Sequence, residues 1–266
     1  MISKPYIAKW KDEAPWTTNE QVEQDLIISR ALVALFSDEF LNENLAFRGG
    51  TALHKLYLNP APRYSEDIDL VQIKEGPIKP ILKRIGEVIT FFEEERVIKQ
   101  KANNNTILYR FASEYSPDIR LRLKIEINCR EHFNLLGWNS FPFSVNSEWF
   151  TGECNINTYH LDELLGTKLR ALYQRKKGRD LFDLYYADQY AKLDYDRIIH
   201  CYKEYMKFVV GKPPTQKEFL LNMEEKQKSP LFLGDMEGLL NPNLKYNQDQ
   251  AFDWLINEFS ERLKDV

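Results

Sequence analysis

The clearest pattern of hydrophobic and polar positions lies at residues 119–128, where the sequence IRLRLKIEIN alternates strictly between the two classes. An extended chain with this period of two places all its apolar side chains on one face. The other face carries Arg120, Arg122, Lys124 and Glu126. The pattern therefore predicts a β-strand with one buried face. Shorter apolar runs predict further strands at residues 45–48, 66–73, 97–101 and 106–111.

Helical spacing of apolar residues dominates the remaining segments. The first helix is predicted to begin at Thr18, an N-cap with Gln21 three residues later, and to end near residues 42–44. Further helices are predicted at residues 51–58, 78–95, 161–174, 179–192, 195–210, 215–228 and 248–264. Residues 1–16 are predicted to form an extended arm, and residues 129–160 to form loops and short strands.

These elements predict an α+β protein in two parts. Strands and helices mix before residue 158, and helices alone follow it. We therefore expect one domain at residues 1–158, with a mixed sheet flanked by helices, and a mostly α-helical domain at residues 159–266. The length of 266 residues and the apolar content of 43% suffice for both cores.

Composition narrows the classes of function. The chain has 36 basic and 40 acidic residues, a formal charge of −4, so a surface that binds nucleic acid would have to be local. Three dispersed cysteines without a CxxC pair argue against a zinc site or a disulfide scaffold and suit a cytoplasmic protein. Neither a signal-peptide core nor an apolar run of roughly 18 residues, as a membrane span needs, is visible.

The candidate chemistry centres on Asp67 and Asp69. On a strand at residues 66–73 these two carboxylates point to the same face, and a divalent cation would relieve their repulsion. Hard oxygen ligands at this spacing suit magnesium. Upstream, Gly49 and Gly50 stand between an apolar strand and an amphipathic helix, where backbone amides can approach a phosphate closely. Together these features predict a site for a nucleoside triphosphate and its metal.

Glu126 offers a third carboxylate on a second amphipathic strand. Carboxylates from neighbouring strands are what two-metal phosphoryl chemistry requires. An alternative interpretation is a surface charge paired with the basic residues beside it on the same strand face. The sequence leaves both interpretations open.

Three motifs in order give the chain a family resemblance. They are Gly49-Gly50-Thr51, then Arg63-x-Ser65-x-Asp67-x-Asp69, then LGTKLRAL at residues 165–172 with Arg175 and RDLFDL at residues 179–184. The set resembles the AbiEii/AbiGii toxin family, which is similar to the DNA polymerase β-like nucleotidyltransferases. The resemblance implies a nucleotidyltransferase-type sheet, Mg²⁺ held by Asp67 and Asp69, and a triphosphate held by Gly49, Gly50, Thr51, Arg63 and Ser65. Two Mg²⁺ ions are expected during catalysis, with Glu126 as a third ligand under the ligand interpretation. Gly50 stands where many relatives have serine, which removes one hydroxyl contact to phosphate.

The second half of the motif lies on two helices. Lys168 and Arg175 share one helix face, and Asp180 and Asp183 share a face of the next helix. From their chemistry, Lys168 is a candidate to hold the triphosphate or the base, and Arg175 and Arg179 are candidates to hold phosphates or RNA. The resemblance implies that Lys168 and one of Asp180 and Asp183 are functional. The alternative is a structural Arg–Asp network that ties the helical domain to the sheet.

Residues 168–179 contain six basic residues and no acidic one. This stretch is the best candidate for a nucleic-acid track, although a solvated loop around Gly178 fits equally well. Tyr173, Tyr185 and Tyr186 are candidates for stacking on bases, or for ordinary core packing. The four histidines are scattered without metal-ligand spacing.

Taken together, these features predict a magnesium-dependent nucleotidyltransferase that transfers a nucleoside monophosphate from an NTP to RNA or tRNA. The resemblance implies the toxin of a bacterial toxin–antitoxin or phage-abortive system, with a genetically linked antitoxin that need not touch it. Two alternatives remain open at this point. The acceptor is a protein or a small molecule, or the chain binds a nucleotide without any chemistry.

Overall fold

The computed structural model describes residues 2–264 and divides into two compact units, of which the first ends at Tyr159 and the second begins at His160. The first unit contains a mixed sheet with helices, and the second is helical. The predicted α+β fold class is confirmed. Among residues 2–264, no helix combines the length and the apolar character that crossing a lipid bilayer requires.

A single seven-stranded sheet organises the first unit. Its strands are β1 Leu45–Arg48, β2 Asp67–Gln72, β3 Val97–Lys101, β4 Asn104–Ala112, β5 Arg120–Asn128, β6 Trp138–Asn146 and β7 Thr151–Tyr159. Their spatial order is β3-β4-β5-β2-β1-β7-β6. Strand β2 lies in the middle, parallel to β5 and antiparallel to β1. Every apolar side chain that β2 places on its inner face is buried, which fixes the orientation of the polar face opposite.

Helices of the first unit are α1 Lys4–Trp10, α2 Asn19–Phe36, α3 Glu39–Asn44, α4 Gly49–Ala52 with its π-helical continuation Leu53–Tyr57, and α5 Lys79–Val88. Helix α2 starts with the predicted capping box of Thr18 and Gln21. The single helix predicted to reach residues 42–44 is in fact two. Asp38 accepts a hydrogen bond from the amide of Leu41 and so starts α3. Helix α5 also ends earlier than predicted, at Val88.

Two further predictions about the first unit were wrong. Residues 1–16 are not extended where they are described (Met1 lies outside the described residues), because α1 buries Ile7 and Trp10 on one face. Residues 129–160 hold two paired nine-residue strands, β6 and β7, rather than loops with short strands. Pro142 obscured β6 in the sequence, but β6 is an edge strand, where a missing N–H is tolerated.

The second unit consists of α6 Leu161–Gln174, α7 Gly178–Tyr190, α8 Tyr195–Val210, α9 Gln216–Gln227, α10 Pro230–Leu233 and α11 Gln248–Phe259. Helices α6 and α8 approach closely at Gly166. A Cβ at this position would lie 2.6 Å from the Cβ of Cys201 and 2.9 Å from the carbonyl oxygen of Ile198. This contact holds the α6 motif in a fixed orientation within its unit.

Candidate active site

Gly49 joins the end of β1 to the start of α4 directly against a carboxylate. Its φ of +79° lies in the left-handed region, which favours glycine. A Cβ at this position would lie 2.3 Å from Oδ2 of Asp69. The preceding residue, Arg48, is paired with Asp69 in the sheet. The turn and the carboxylate are therefore in van der Waals contact, and only a glycine backbone fits between them.

The other side of the turn rests on a buried polar layer. A Cβ on Gly50 would lie 2.7 Å from Nη2 of Arg63, whose side chain is buried and donates from Nη1 to the carbonyl oxygen of Tyr64 at 2.9 Å. The hydroxyl of Thr51 donates to the carbonyl oxygen of Asp67 at 2.5 Å and lies 2.8 Å from Oγ of Ser65. Thr51, Arg63 and Ser65 thus brace the turn and line a cavity of about 240 Å³.

The parallel register of β2 and β5 assembles a square of charged side chains. Asp67 pairs with Lys124, and Asp69 pairs with Glu126. Since paired residues of parallel strands point to the same side, all four side chains share one face. The ammonium of Lys124 lies 2.8 Å from Oδ2 of Asp67 and 3.3 Å from Oε2 of Glu126. The sequence alone presents Lys124 only as one of several surface charges.

Electrostatics and hydrogen bonding at this square favour a further cation. Burial lowers the pKa of Lys124, but Asp67 and Glu126 outweigh it, and the net pKa is raised. Oδ1 of Asp67 is buried and has no hydrogen-bond partner among the described residues. An orphaned carboxylate oxygen beside a second carboxylate is a donor set that fits Mg²⁺.

The role of Glu126 stays a prediction. Its pairing with Lys124 matches the surface-charge interpretation, and its place beside Asp69 in the register matches the ligand interpretation. In residues 2–264, no three His, Cys, Asp or Glu side chains are gathered closely enough to hold a metal ion. A site with all three carboxylates would therefore require these side chains to move.

Replacing Gly49 by alanine tests how closely the turn fits. We expect Gly49→Ala to lower the free energy of unfolding by about 2–4 kcal/mol, because backbone strain adds to the clash with Asp69. The matched control is Gly137→Ala, where φ is +88° but an added Cβ would meet no other atom within 4 Å. The control is expected to lose only the strain, about 1 kcal/mol. Equal losses in urea-unfolding experiments would contradict the close fit.

Four of the residues predicted in the second unit meet in one ion-pair network. Lys168 Nζ lies 3.1 Å from Oδ1 of Asp180 and 2.9 Å from Oδ2 of Asp183. Arg175 donates to the same Asp180 through Nε at 2.7 Å and Nη2 at 2.8 Å. Both aspartates are fully buried, Lys168 is nearly so, and the Arg175 side chain is half exposed.

Asp180 is the centre of this network. Burial raises the pKa of its carboxyl, but Lys168 and Arg175 outweigh burial and bring the pKa below its ordinary value. Asp180 is therefore ionised at neutral pH and holds two cations in place. A bidentate arginine and a buried lysine on one carboxylate form a rigid arrangement.

Much of the basic stretch is paired within its own unit. Beyond Arg175, Lys177 Nζ lies 3.1 Å from Oδ1 of Asp235, and Arg179 Nε lies 3.5 Å from Oδ2 of the same residue. These carboxylates reduce the charge that the stretch offers to a phosphate backbone. Lys176, in contrast, is exposed at the surface of the unit.

The three tyrosines considered for base stacking pack against aromatic rings of their own unit. Tyr173 stacks on Phe219 with ring centroids 6.0 Å apart. Tyr186 stacks on Phe182 at 5.5 Å, and Tyr185 contacts Trp254 at 5.5 Å. These contacts match the core-packing interpretation.

Two further paired lysines, one buried and one partly buried, were not singled out by the sequence. Lys226 is 1% exposed and donates to the carbonyl oxygen of Tyr173 at 2.9 Å, near the end of α6. Burial and the nearby Lys176 lower the pKa of Lys226 to about 8. In the first unit, Lys55 donates to both carboxylate oxygens of Asp25, at 3.0 and 3.1 Å. Helical spacing could not have revealed either one, because the partners come from distant segments.

Comparisons with known proteins identify a family and similar folds. The model of the family described as nucleotidyl transferase AbiEii toxin, type IV TA system, matches residues 30–258. The solved structure of MenT4, a nucleotidyltransferase toxin of Mycobacterium tuberculosis, is similar with a TM-score of 0.61 and 15% identity, covering 99% of this chain and 98% of that one. JHP933 from Helicobacter pylori is similar with a TM-score of 0.56 and 20% identity, covering 94% of each chain. No curated protein matches the sequence.

Proposed function

We propose a function from the premise that this chain belongs to the family of AbiEii nucleotidyltransferase toxins. In this proposal the protein transfers a nucleoside monophosphate from an NTP to RNA, and the reaction depends on magnesium. The chain is a nucleotidyltransferase, and its family implies an NTP substrate and an antitoxin partner. The observation that carries the proposal is the contact between the Gly49 turn and Asp69, with Asp67 on the same strand face.

In this proposal the first unit binds the nucleotide. The backbone amides of Gly49 and Gly50 and the hydroxyl of Ser65 hold the triphosphate, while Thr51 and Arg63 brace the turn from behind. Asp67 and Asp69 hold Mg²⁺, with Glu126 as a third ligand. Bound Mg²⁺ supplies Lewis-acid chemistry there, since it neutralises the phosphates and lowers the pKa of an attacking hydroxyl.

The proposed role of the second unit is to supply fixed positive charge. The ammonium of Lys168 has three protons, and Asp180 and Asp183 take two of them. We propose that Lys168 stabilises charge on the transferring phosphate. Because the two aspartates are fully buried, we assign them the role of positioning Lys168 and Arg175. Preorganised charge of this kind supplies much of the rate in phosphoryl transfer.

The proposed acceptor is RNA. The family resemblance favours RNA, and in particular tRNA. The pairing of Lys177 and Arg179 with Asp235 favours the alternative that a protein or a small molecule accepts the nucleotide, because it weakens the basic track.

An acceptor screen tests the proposal. Purified protein is incubated with Mg²⁺ and each labelled NTP in turn, together with total tRNA, total RNA or cell protein, and the label is followed on a gel. The proposal predicts label on RNA. Label on protein alone would replace RNA as the acceptor, and the absence of transfer to any acceptor would contradict the proposed reaction.

Removing the charges of two adjacent lysines in the basic stretch, the exposed Lys176 and the partly exposed Lys177, separates the two acceptor classes. We expect Lys176→Ala with Lys177→Ala to reduce transfer to RNA several-fold, with a weaker salt dependence, because fewer counterions are released on binding. Arg175 is left intact, since its loss would unpair Asp180. Lys203→Ala with Lys207→Ala, at exposed or half-exposed positions of α8, is the control. Unchanged turnover and salt dependence in the first variant would indicate a protein or small-molecule acceptor.

A further inference from the structure

Lys124 occupies the corner of the charged square where its ammonium contacts two carboxylates at once. It lies 2.8 Å from Oδ2 of Asp67 and 3.3 Å from Oε2 of Glu126. The register of β2 and β5 places Asp69 beside these three side chains on the same face. The other oxygen of Asp67 stays buried without a hydrogen-bond partner among the described residues. The ammonium of Lys124 therefore satisfies only one of the two oxygens of Asp67.

We propose that Lys124 is the resident counterion of the metal site, holding Asp67 and Glu126 together in the metal-free protein and withdrawing from Asp67 when a divalent cation binds. This inference rests on the proposed function, since it takes Asp67 as a metal ligand. An ammonium on Oδ2 and a divalent cation on the same carboxylate compete for one position. Lys124 is thus a positioning residue that acts through Asp67.

The competition has a consequence for affinity. When the binding-competent state is only a fraction of the population, the apparent dissociation constant rises by the reciprocal of that fraction. Lys124 therefore makes the square a weak site for a free divalent cation. A cation that arrives with a triphosphate brings anionic oxygens, which give the displaced ammonium a new partner. Metal binding is in this way coupled to nucleotide binding.

Binding of Mn²⁺ in the absence of nucleotide measures the competition directly. Electron paramagnetic resonance follows free Mn²⁺ during titration of the whole protein. We expect Lys124→Met to bind Mn²⁺ at least about tenfold more tightly than the wild type, because the competitor is gone. Lys124→Gln removes the charge but keeps a hydrogen-bond donor, and it is expected to tighten binding as well. Lys124→Arg keeps the positive charge and is expected to bind Mn²⁺ as weakly as the wild type.

Two control variants test whether a change in Mn²⁺ affinity is specific to this site. Lys99→Met changes an exposed lysine on the edge strand β3 and is expected to leave Mn²⁺ affinity unchanged. Asp67→Asn removes the proposed ligand and is expected to abolish binding. Thermal unfolding shows which variants are folded. If Lys124→Met does not fold, the Mn²⁺ affinity of Lys124→Gln is compared with the wild type instead.

Unchanged or weaker Mn²⁺ affinity in the folded Lys124 variants would overturn the inference. If the wild type then binds Mn²⁺ and Asp67→Asn abolishes this binding, the proposed metal site remains supported although the inference about Lys124 is wrong. Mn²⁺ binding that Asp67→Asn does not alter, or no binding by any variant, would overturn the inference together with the metal site.

Discussion

The double variant Asp67→Asn/Asp69→Asn is expected to lose nucleotidyl transfer by about 10³-fold or more while the protein stays folded. The loss follows from removing the anionic ligands that hold the metal, since metal-ion catalysis supplies several kcal/mol of transition-state stabilisation. The fold should survive because asparagine has nearly the same shape. The side chains of Asp67 and Lys124 are 26% and 23% exposed, so the ion pair between them contributes only about 1 kcal/mol.

Initial rates of transfer and urea-unfolding curves measure the two halves of this expectation. Glu66→Gln is the matched control, because Glu66 immediately precedes β2 and is itself a partly exposed carboxylate. It should keep wild-type activity. A double variant that retains transfer within tenfold of the wild-type rate would contradict the assignment of Asp67 and Asp69 as metal ligands. If activity is lost because the variant unfolds, the two residues have a structural role instead.

Asp180→Ala is expected to lower the free energy of unfolding of the second unit by about 3–5 kcal/mol. The substitution removes the counterion that Lys168 and Arg175 share and leaves Lys168 with Asp183 alone, and breaking a buried ion-pair network is among the costliest single changes in a protein. Asp253→Ala, at an exposed position of α11, should cost less than about 0.5 kcal/mol. A loss below about 1 kcal/mol for Asp180→Ala would contradict the central place of Asp180 in the network.

A second variant separates stability from catalysis in the same network. Lys168→Met with Asp183→Asn removes both members of one pair and leaves Asp180 bound to Arg175. We expect this variant to fold, because replacing both partners avoids an unpaired charge. Transfer should fall by about 10²-fold or more if Lys168 stabilises the transferring phosphate. A folded variant with wild-type activity would contradict a role of Lys168 in transfer and would show that the network is only structural.

Local patterns in the sequence predicted those parts of the site whose partners are close along the chain. Asp67 and Asp69 follow from the period of a strand. Arg175 and Asp180 are five residues apart, Arg175 directly after α6 and Asp180 in the first turn of α7. The predicted position of Arg175 on the α6 face with Lys168 was wrong, because its backbone is extended, but the short separation still brings it to Asp180.

Contacts between distant segments could not be predicted in the same way. Lys124 and Asp67 are 57 residues apart and meet only because β5 lies parallel to β2, a register that no local pattern encodes. Asp235 is 56 residues from Arg179, so the sequence of residues 168–179 gives no sign of the acidic partner that this stretch has in the fold. The full lengths of β6 and β7 were missed for a related reason, because the pairing of β6 with β7 and of β7 with β1 outweighs weak local propensity.

The position of the label in the NTP tests the central claim most directly. Two samples of the same NTP, one labelled at the α phosphorus and one at the γ phosphorus, are incubated with the protein, Mg²⁺ and total RNA. Nucleotidyl transfer predicts that α label enters the acceptor, that γ label leaves as pyrophosphate in equal amount, and that chelation of Mg²⁺ stops both. Label from the γ position on the acceptor, or no transfer from any NTP to any acceptor, would contradict the account.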